Sequence, residues 1–234
     1  MTHAILFRKG DAVFMIFTAI DLQTWPRSQM FRYFSQMAPT GYSITVDVDL
    51  SGLRGILKAK SYKFFPAYLW LVTKCLNEQQ EFRIAQKDGV LGYYDTLTPL
   101  YASFHEDDKT FSLMWTEFQS DFDLFHQHYC ENQQRFANNH GVLCQPETPP
   151  PENAYTVSTV PWISFRHFAV HSYDNKPYYF PSIEAGKIRK EGQREFLPLS
   201  LTCHHATTDG YHVHLFLDQL QQEINKLRGS LSHF

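Results

Sequence analysis

The stretch Ser61 to Asn77 reads SYKFFPAYLWLVTKCLN. It predicts a helix that opens near Pro66, in the first turn, and runs to about Asn77. Its residues are apolar almost all round. A helix with no polar face must be covered on every side. The rest of the chain must therefore wrap it with a sheet and further helices. The composition can do so: 43% of the 234 residues are hydrophobic and 16% aromatic, with 20 Phe and 13 Tyr. That aromatic share favours a ring-rich core or a ring-lined pocket for an apolar ligand.

The covering elements are readable in order. Phe14 to Asp21 is strand-like. Thr24 is an expected N-cap, with Pro26 in the first turn of a helix to about Met37 that carries Phe31, Phe34 and Met37 on one face. Tyr42 to Leu50 alternates apolar and polar residues, the pattern of a half-buried strand. Leu53 to Lys60 is a short helix. Asp88-Gly89 marks one hairpin and Glu106 to Lys109 a second. Ser120 to Asn139 is an amphipathic helix. The proline-rich run QPETPPPEN after His140 is a surface loop. Ala154 to Val170 is strand-rich, a last hairpin turns at Glu191-Gly192, and Tyr211 to about Leu227 closes the chain as a helix. The expectation is one domain over residues 1–234, an α/β (α+β) two-layer sandwich with a mixed, largely antiparallel sheet packed with helices.

Several classes are disfavoured. A net charge of −3 argues against phosphate neutralisation and hence nucleic acid. The apolar run Ala12 to Ile20 is too short to span a membrane, and no cleavage signal follows it. The cysteines, Cys75, Cys130, Cys144 and Cys203, include no CxxC pair, so free thiols in a cytoplasmic protein are expected. There is no GxSxG, Walker loop or GxGxxG. His204, His205, His212 and His214 lie close in sequence but lack metal-ligand spacing, so no metal is expected.

The chemistry points to Leu199–Leu217, LSLTCHHATTDGYHVHLFL. An apolar strand delivers His204-His205 into a turn, and Asp209-Gly210 opens a helix. A histidine there can serve as a general base. Each residue also has a plainer reading: a hydrogen-bonded buried histidine, a surface histidine, an N-cap aspartate, a turn glycine.

The full pattern, His204-His205-x-x-x-Asp209-Gly210, resembles the HHxxxDG signature of CoA-dependent acyltransferases. Trp25-Pro26-Arg27, Ser61 to Pro66, FHEDDKTFS and Val157 to Trp162 make the chain most similar to the chloramphenicol acetyltransferases, over about Phe17 to Leu227. The resemblance implies acetyl transfer from acetyl-CoA, bound as a co-substrate and not as a permanent cofactor, to the primary hydroxyl of chloramphenicol, conferring resistance to the antibiotic. It implies His205 as base, Ser158 as oxyanion donor, and an Asp209–Arg27 ion pair supporting the site. Tyr33, Phe34, Phe111 and Val170 would line the acceptor pocket and Trp162 the CoA side. It further implies a homotrimer with active sites between subunits. Ala102 and Glu184 stand where the family commonly has threonine, and Thr202 where it usually has glutamine. Two alternatives remain on sequence alone: an O-acyltransferase for another hydroxylated acceptor, or a non-catalytic relative that binds an aromatic ligand.

Overall fold

The computed structural model describes residues 4–5, 15–145, 149–171 and 178–232. In chain order the strands and helices are β1 (Ala4–Ile5), β2 (Phe17–Ala19), α1 (Ser28–Arg32), β3 (Gly41–Asp49), α2 (Leu53–Ala59), α3 (Phe64–Asn77), β4 (Ile84–Lys87), β5 (Val90–Tyr94), β6 (Thr98–Phe104) and β7 (Phe111–Trp115). Then follow α4 (Phe122–Phe136), β8 (Ala154–Val160), β9 (Ser182–Gly186), β10 (Arg189–Glu191), β11 (Arg194–His204) and α5 (Gly210–Ser232).

The apolar helix is α3, and it is buried from Pro66 through Thr73, as well as at Cys75 and Leu76. The main sheet has seven strands in the order β10-β11-β9-β8-β6-β7, with β3 on the other side of β11. The β6–β8 and β8–β9 pairs are parallel and the others antiparallel. A smaller sheet, β1-β2-β5-β4, is antiparallel. Its tight turn is Asp88-Gly89, both at positive φ (49° and 81°), as a two-residue hairpin of this twist requires. The result is the expected α/β sandwich with a mixed, largely antiparallel sheet.

One hydrophobic cluster joins α2, α3, α4 and α5 to one face of the main sheet, from Phe17 to Leu227. Along β11 the helix-facing residues Leu197, Leu199, Leu201 and Cys203 are buried. A direct polar tie crosses this core, with Thr73 Oγ1 and Tyr155 Oη 2.7 Å apart. The opposite face of β8, β9 and β11 is partly roofed by residues 163–170. Ser200 Oγ donates to the Phe168 carbonyl at 2.5 Å, and Phe165 lies over Gly186.

A second, smaller cluster holds Phe31, Ile84, Leu91, Tyr179 and Ala206, with Trp25 and Phe34 against it. It fixes α1 and the turn after β11 to the small sheet.

Three local expectations are corrected. Thr24 does not cap the first helix; its hydroxyl reaches back to Asp21, and Arg27 is the residue before α1. That helix is α-helical only to Arg32 and continues as a π-turn over Tyr33–Met37, which rotates Met37 out to 77% exposure. The strand starting at Ala154 ends at Val160, because Pro161 has no N–H for a further ladder bond. The expectations at Phe14 and at residues 146–148 of the proline-rich loop lie outside the described residues.

Candidate active site

β11 is the strand that delivers the histidine pair. It is held on one side by β3, from Phe196↔Asp49 to His204↔Gly41, and on the other by β9. The chain then turns, and the His205 N–H donates to the Thr40 carbonyl at 2.8 Å. Thr207 and Thr208 N–H groups donate to the His204 carbonyl at 3.1 and 3.2 Å, closing the turn.

The two imidazoles are fixed differently. His205 Nδ1 lies 3.0 Å from the Thr208 carbonyl. A carbonyl only accepts, so the ring proton is on Nδ1 and Nε2 carries the free lone pair. His204 Nδ1 accepts from the Ala206 N–H at 3.1 Å, so its proton is on Nε2. Partial burial, and then the neighbouring His205, lower the His204 pKa and keep it neutral. The His205 ring is stacked on Phe34, centroids 4.0 Å apart at 28°, and Tyr42 meets it edge-on at 5.3 Å. Tyr42 Oη donates to Thr208 Oγ1 at 3.3 Å, which braces the same turn.

Arg27 threads under the turn. Its Nη1 donates to Asp209 Oδ2 at 2.7 Å, Nε to the Ala206 carbonyl at 3.1 Å, and Nη2 to the His205 carbonyl at 3.0 Å. Asp209 divides its two oxygens. Oδ2 takes Arg27, while Oδ1 accepts from Tyr211 N–H at 3.0 Å at the start of α5 and lies 3.0 Å from His212 Nδ1. Burial raises the Asp209 pKa, but the Arg27 hydrogen bond and the charges of His212 and Arg27 outweigh it, and the net shift is downward. Capping and ion pairing are thus done by one carboxylate. Asp209 makes no hydrogen bond to His205.

The remaining predicted residues lie elsewhere in the same chain. Ser158 is on β8, on the rung Ser158–Glu184–Ser200–Thr45 across four strands. His205 is five residues beyond that rung on β11 and two strands away. At about 3.3 Å per residue and about 4.8 Å per strand, the two Cα atoms are about 19 Å apart. Trp162 is 62% exposed and its ring meets Phe104 at 5.1 Å. Phe111 opposes Phe104 across the β6–β7 ladder and is exposed. Val170 N–H donates to Thr202 Oγ1 at 3.4 Å, near the end of β11. Tyr33 meets Phe34 edge-on at 5.0 Å and is half exposed. One chain therefore gathers His205, Phe34, Tyr33, Arg27 and Asp209, and places Ser158, Trp162 and Phe111 at a distance.

Sequence reasoning missed Tyr42 and the Thr208 carbonyl. Tyr42 is one more apolar position of an alternating strand, and a backbone carbonyl has no sequence signal. It also missed a cluster of His105, Asp107 and His140, whose potential ligand atoms lie within 4.8 Å of one another. There the two rings stack at 4.1 Å, His105 Nε2 pairs with Ser112, and His140 with Asp107 and Asp108.

Comparison with known proteins gives a consistent picture. A family model described as chloramphenicol acetyltransferase matches residues 15–221. The chain is 41% identical over 209 residues to a chloramphenicol acetyltransferase of Staphylococcus aureus, covering 89% of this chain and 95% of that one. It is 33% identical over 211 residues to chloramphenicol acetyltransferase 3 of Escherichia coli, covering 90% and 98%. A solved chloramphenicol acetyltransferase structure superposes with a TM-score of 0.80 at 26% identity, over 88% of this chain and 98% of that one. A probable dihydrolipoamide acetyltransferase from Listeria monocytogenes shares the fold, with a TM-score of 0.57 at 15% identity over 86% and 90%.

Proposed function

Because the chain belongs to the chloramphenicol acetyltransferase family, we propose that it acetylates chloramphenicol by direct attack, with His205 as the base. The enzyme is an acetyltransferase that confers resistance by O-acetylating the antibiotic. Acetyl-CoA is the donor and no permanently bound cofactor is needed.

The observation that carries the mechanism is the His205 Nδ1 to Thr208 carbonyl hydrogen bond. It leaves Nε2 as the only ring atom able to take a proton. In the reaction Nε2 removes the proton from the primary hydroxyl as the oxygen attacks the thioester carbonyl. The Ser158 hydroxyl donates to the oxyanion that forms. The tetrahedral intermediate collapses, the carbon–sulfur bond breaks, and the imidazolium returns its proton to the departing thiolate. Phe34 and Tyr42 hold the ring in place throughout, and the Arg27–Asp209 pair holds the turn.

The base and the oxyanion donor must both reach one acetyl group, with donor and acceptor atoms each about 3 Å from it. A separation of about 19 Å along one sheet is too great. This supports a homotrimer in which His205 of one subunit faces Ser158 of the next. Exposed apolar residues on both parts, Tyr33, Phe111, Trp162, Ile163 and Val170, fit surfaces that such an assembly covers. Tyr33, Phe34, Phe111 and Val170 then line the acceptor pocket, and Trp162 flanks CoA. Within this reading residues 1–234 form one domain. The free thiols Cys75, Cys130, Cys144 and Cys203 suit the cytoplasm, and no helix among the described residues is long and apolar enough to cross a membrane.

The test is thiol release from acetyl-CoA with chloramphenicol, comparing the parent with His205→Ala. Turnover by the parent and its loss by orders of magnitude in the variant support the reading. Turnover only with another hydroxyl compound would move the acceptor, and binding without turnover would remove catalysis.

A further inference from the structure

Glu184 is fully buried on the outer face of the main sheet, a position that a charged side chain rarely occupies without a partner. Its Oε1 accepts from the Ser182 hydroxyl on its own strand. Its Oε2 is also buried and has no partner among the described residues. With the Ser182 hydroxyl donating to Oε1, a neutral Glu184 carries its proton on Oε2.

Two hydroxyls flank Glu184 on its rung, Ser200 on β11 and Ser158 on β8. The Ser200 hydroxyl is committed: it donates to the Phe168 carbonyl at 2.5 Å and accepts from Thr45 Oγ1 at 3.0 Å. The Ser158 hydroxyl has no hydrogen-bond partner among the described residues. Directly paired residues on parallel strands share a face and lie about 4.8 Å apart.

We infer that Glu184 is a positioning residue for Ser158: Oε2 and the Ser158 hydroxyl are neighbours on one rung, unpartnered among the described residues, and with the acetyl group bound the neutral carboxyl turns to donate from Oε2 to the Ser158 oxygen and so aims the serine proton at the oxyanion. The inference rests on the acetyl-transfer reading above. A hydroxyl that accepts one bond donates a stronger one. Ionised Glu184 reverses the arrangement. The carboxylate can only accept, so it draws the Ser158 proton to itself and away from the oxyanion.

The surroundings favour the neutral form. From β8 the residues facing Glu184 are Thr156, Ser158 and Val160; from β11, Pro198, Ser200 and Thr202; on β9, Ser182 and Gly186. None is charged. Arg166, His167 and His171 of the roofing segment are exposed, and none pairs with Glu184. Tyr68 and Cys203, on the helix side of the sheet, are themselves held neutral by burial. Burial, opposed only by the Ser182 hydrogen bond, pushes the Glu184 carboxyl up to about 7.

The experiment is the pH dependence of kcat for acetyl transfer to chloramphenicol in the parent, Glu184→Gln, Ser158→Ala and the double variant. The parent should lose activity above about pH 7 and level off near the rate of Ser158→Ala, about 10²-fold or more below its maximum. Glutamine still donates but does not titrate. Glu184→Gln should lose a few-fold in kcat, leave KM near the parent value, and show no alkaline limb. The limb should also be absent in Ser158→Ala, because Glu184 acts through that hydroxyl. Thermal unfolding of each variant separates misfolding from these effects. An alkaline limb retained in Glu184→Gln or in Ser158→Ala overturns the inference while leaving acetyl transfer standing. A parent that does not turn over chloramphenicol overturns both.

Discussion

His204 and His205 are adjacent in sequence and held in opposite tautomers. His204 accepts through Nδ1 from the Ala206 N–H, whereas His205 donates through Nδ1 to the Thr208 carbonyl. The same atom of the same residue type is a proton acceptor in one and a donor in the other. Only His205 is left with a free basic nitrogen at Nε2.

The two histidines should therefore respond differently to substitution. His205→Ala removes the proposed base and should lower kcat by about 10³-fold or more with little change in KM. His204→Asn keeps an acceptor for the Ala206 N–H and should cost about tenfold or less. Steady-state kinetics on both variants checks the assignment; equal losses would sink it.

The neutral state of His204 has a signature in stability. Its folded pKa lies below the ordinary 6.5. Its full contribution is present above about pH 6.5 and is lost as pH falls through the lowered value, because the unfolded chain takes up the proton first. Urea midpoints measured from neutral to mildly acid pH should fall in the parent, and less steeply in His204→Asn.

Arg27 makes three hydrogen bonds through three different nitrogens, to Asp209, Ala206 and His205. A lysine has the charge but not the planar fork. Arg27→Lys should lose about 2 kcal/mol of stability, discounted for the partial exposure of Asp209, and about tenfold or more in kcat because the His205 turn loosens. Denaturant unfolding and kinetics on one preparation read both effects.

The proposed division of the site between subunits predicts complementation. Ser158→Ala alone should lose about 10²–10³-fold, and His205→Ala more. Each mixed trimer of the two variants keeps one junction where an intact His205 meets an intact Ser158. Random mixing in a closed ring should restore about a quarter of the parental activity. If co-expression restores nothing, the shared site is wrong.

Gly92 tests the packing that carries α1 to the site. A Cβ there would lie 2.4 Å from the Phe17 ring and 2.5 Å from the Thr18 carbonyl. The carbonyl is backbone and cannot yield without parting β2 from β5. Gly92→Ala should destabilise by about 3 kcal/mol or more, read as a lowered unfolding midpoint.

Period and punctuation carried most of the fold. The alternation of Tyr42 to Leu50, the Asp88-Gly89 turn and the unbroken apolar face of α3 each report a local rule that the tertiary structure obeys. What they could not report is partnership. Nothing local says that β3 pairs with β11, so Tyr42 reads as an ordinary strand residue although it touches the His205 ring. The π-turn after Arg32 was equally hidden, since it redirects Phe34 onto His205 without any breaker residue. The motif located the histidine pair, but the two hydrogen bonds that distinguish His205 from His204 run to backbone atoms, which have no residue code. Asp209 showed the reverse: both of its readings, cap and ion-pair partner, hold at once.

β11 pairs with β3 across long sequence distances, as Thr45 and Ser200 show at 155 residues apart. Contacts of that span close late, because the loop entropy must be overcome before they contribute. The histidine turn hangs on this pairing through Thr40 and Tyr42. Catalytic competence thus cannot precede the completion of folding, and partly folded chains should have no partial activity. During refolding, recovery of enzyme activity should lag the recovery of helix signal, and on a ribosome the nascent chain stays inert until β11 has emerged and docked.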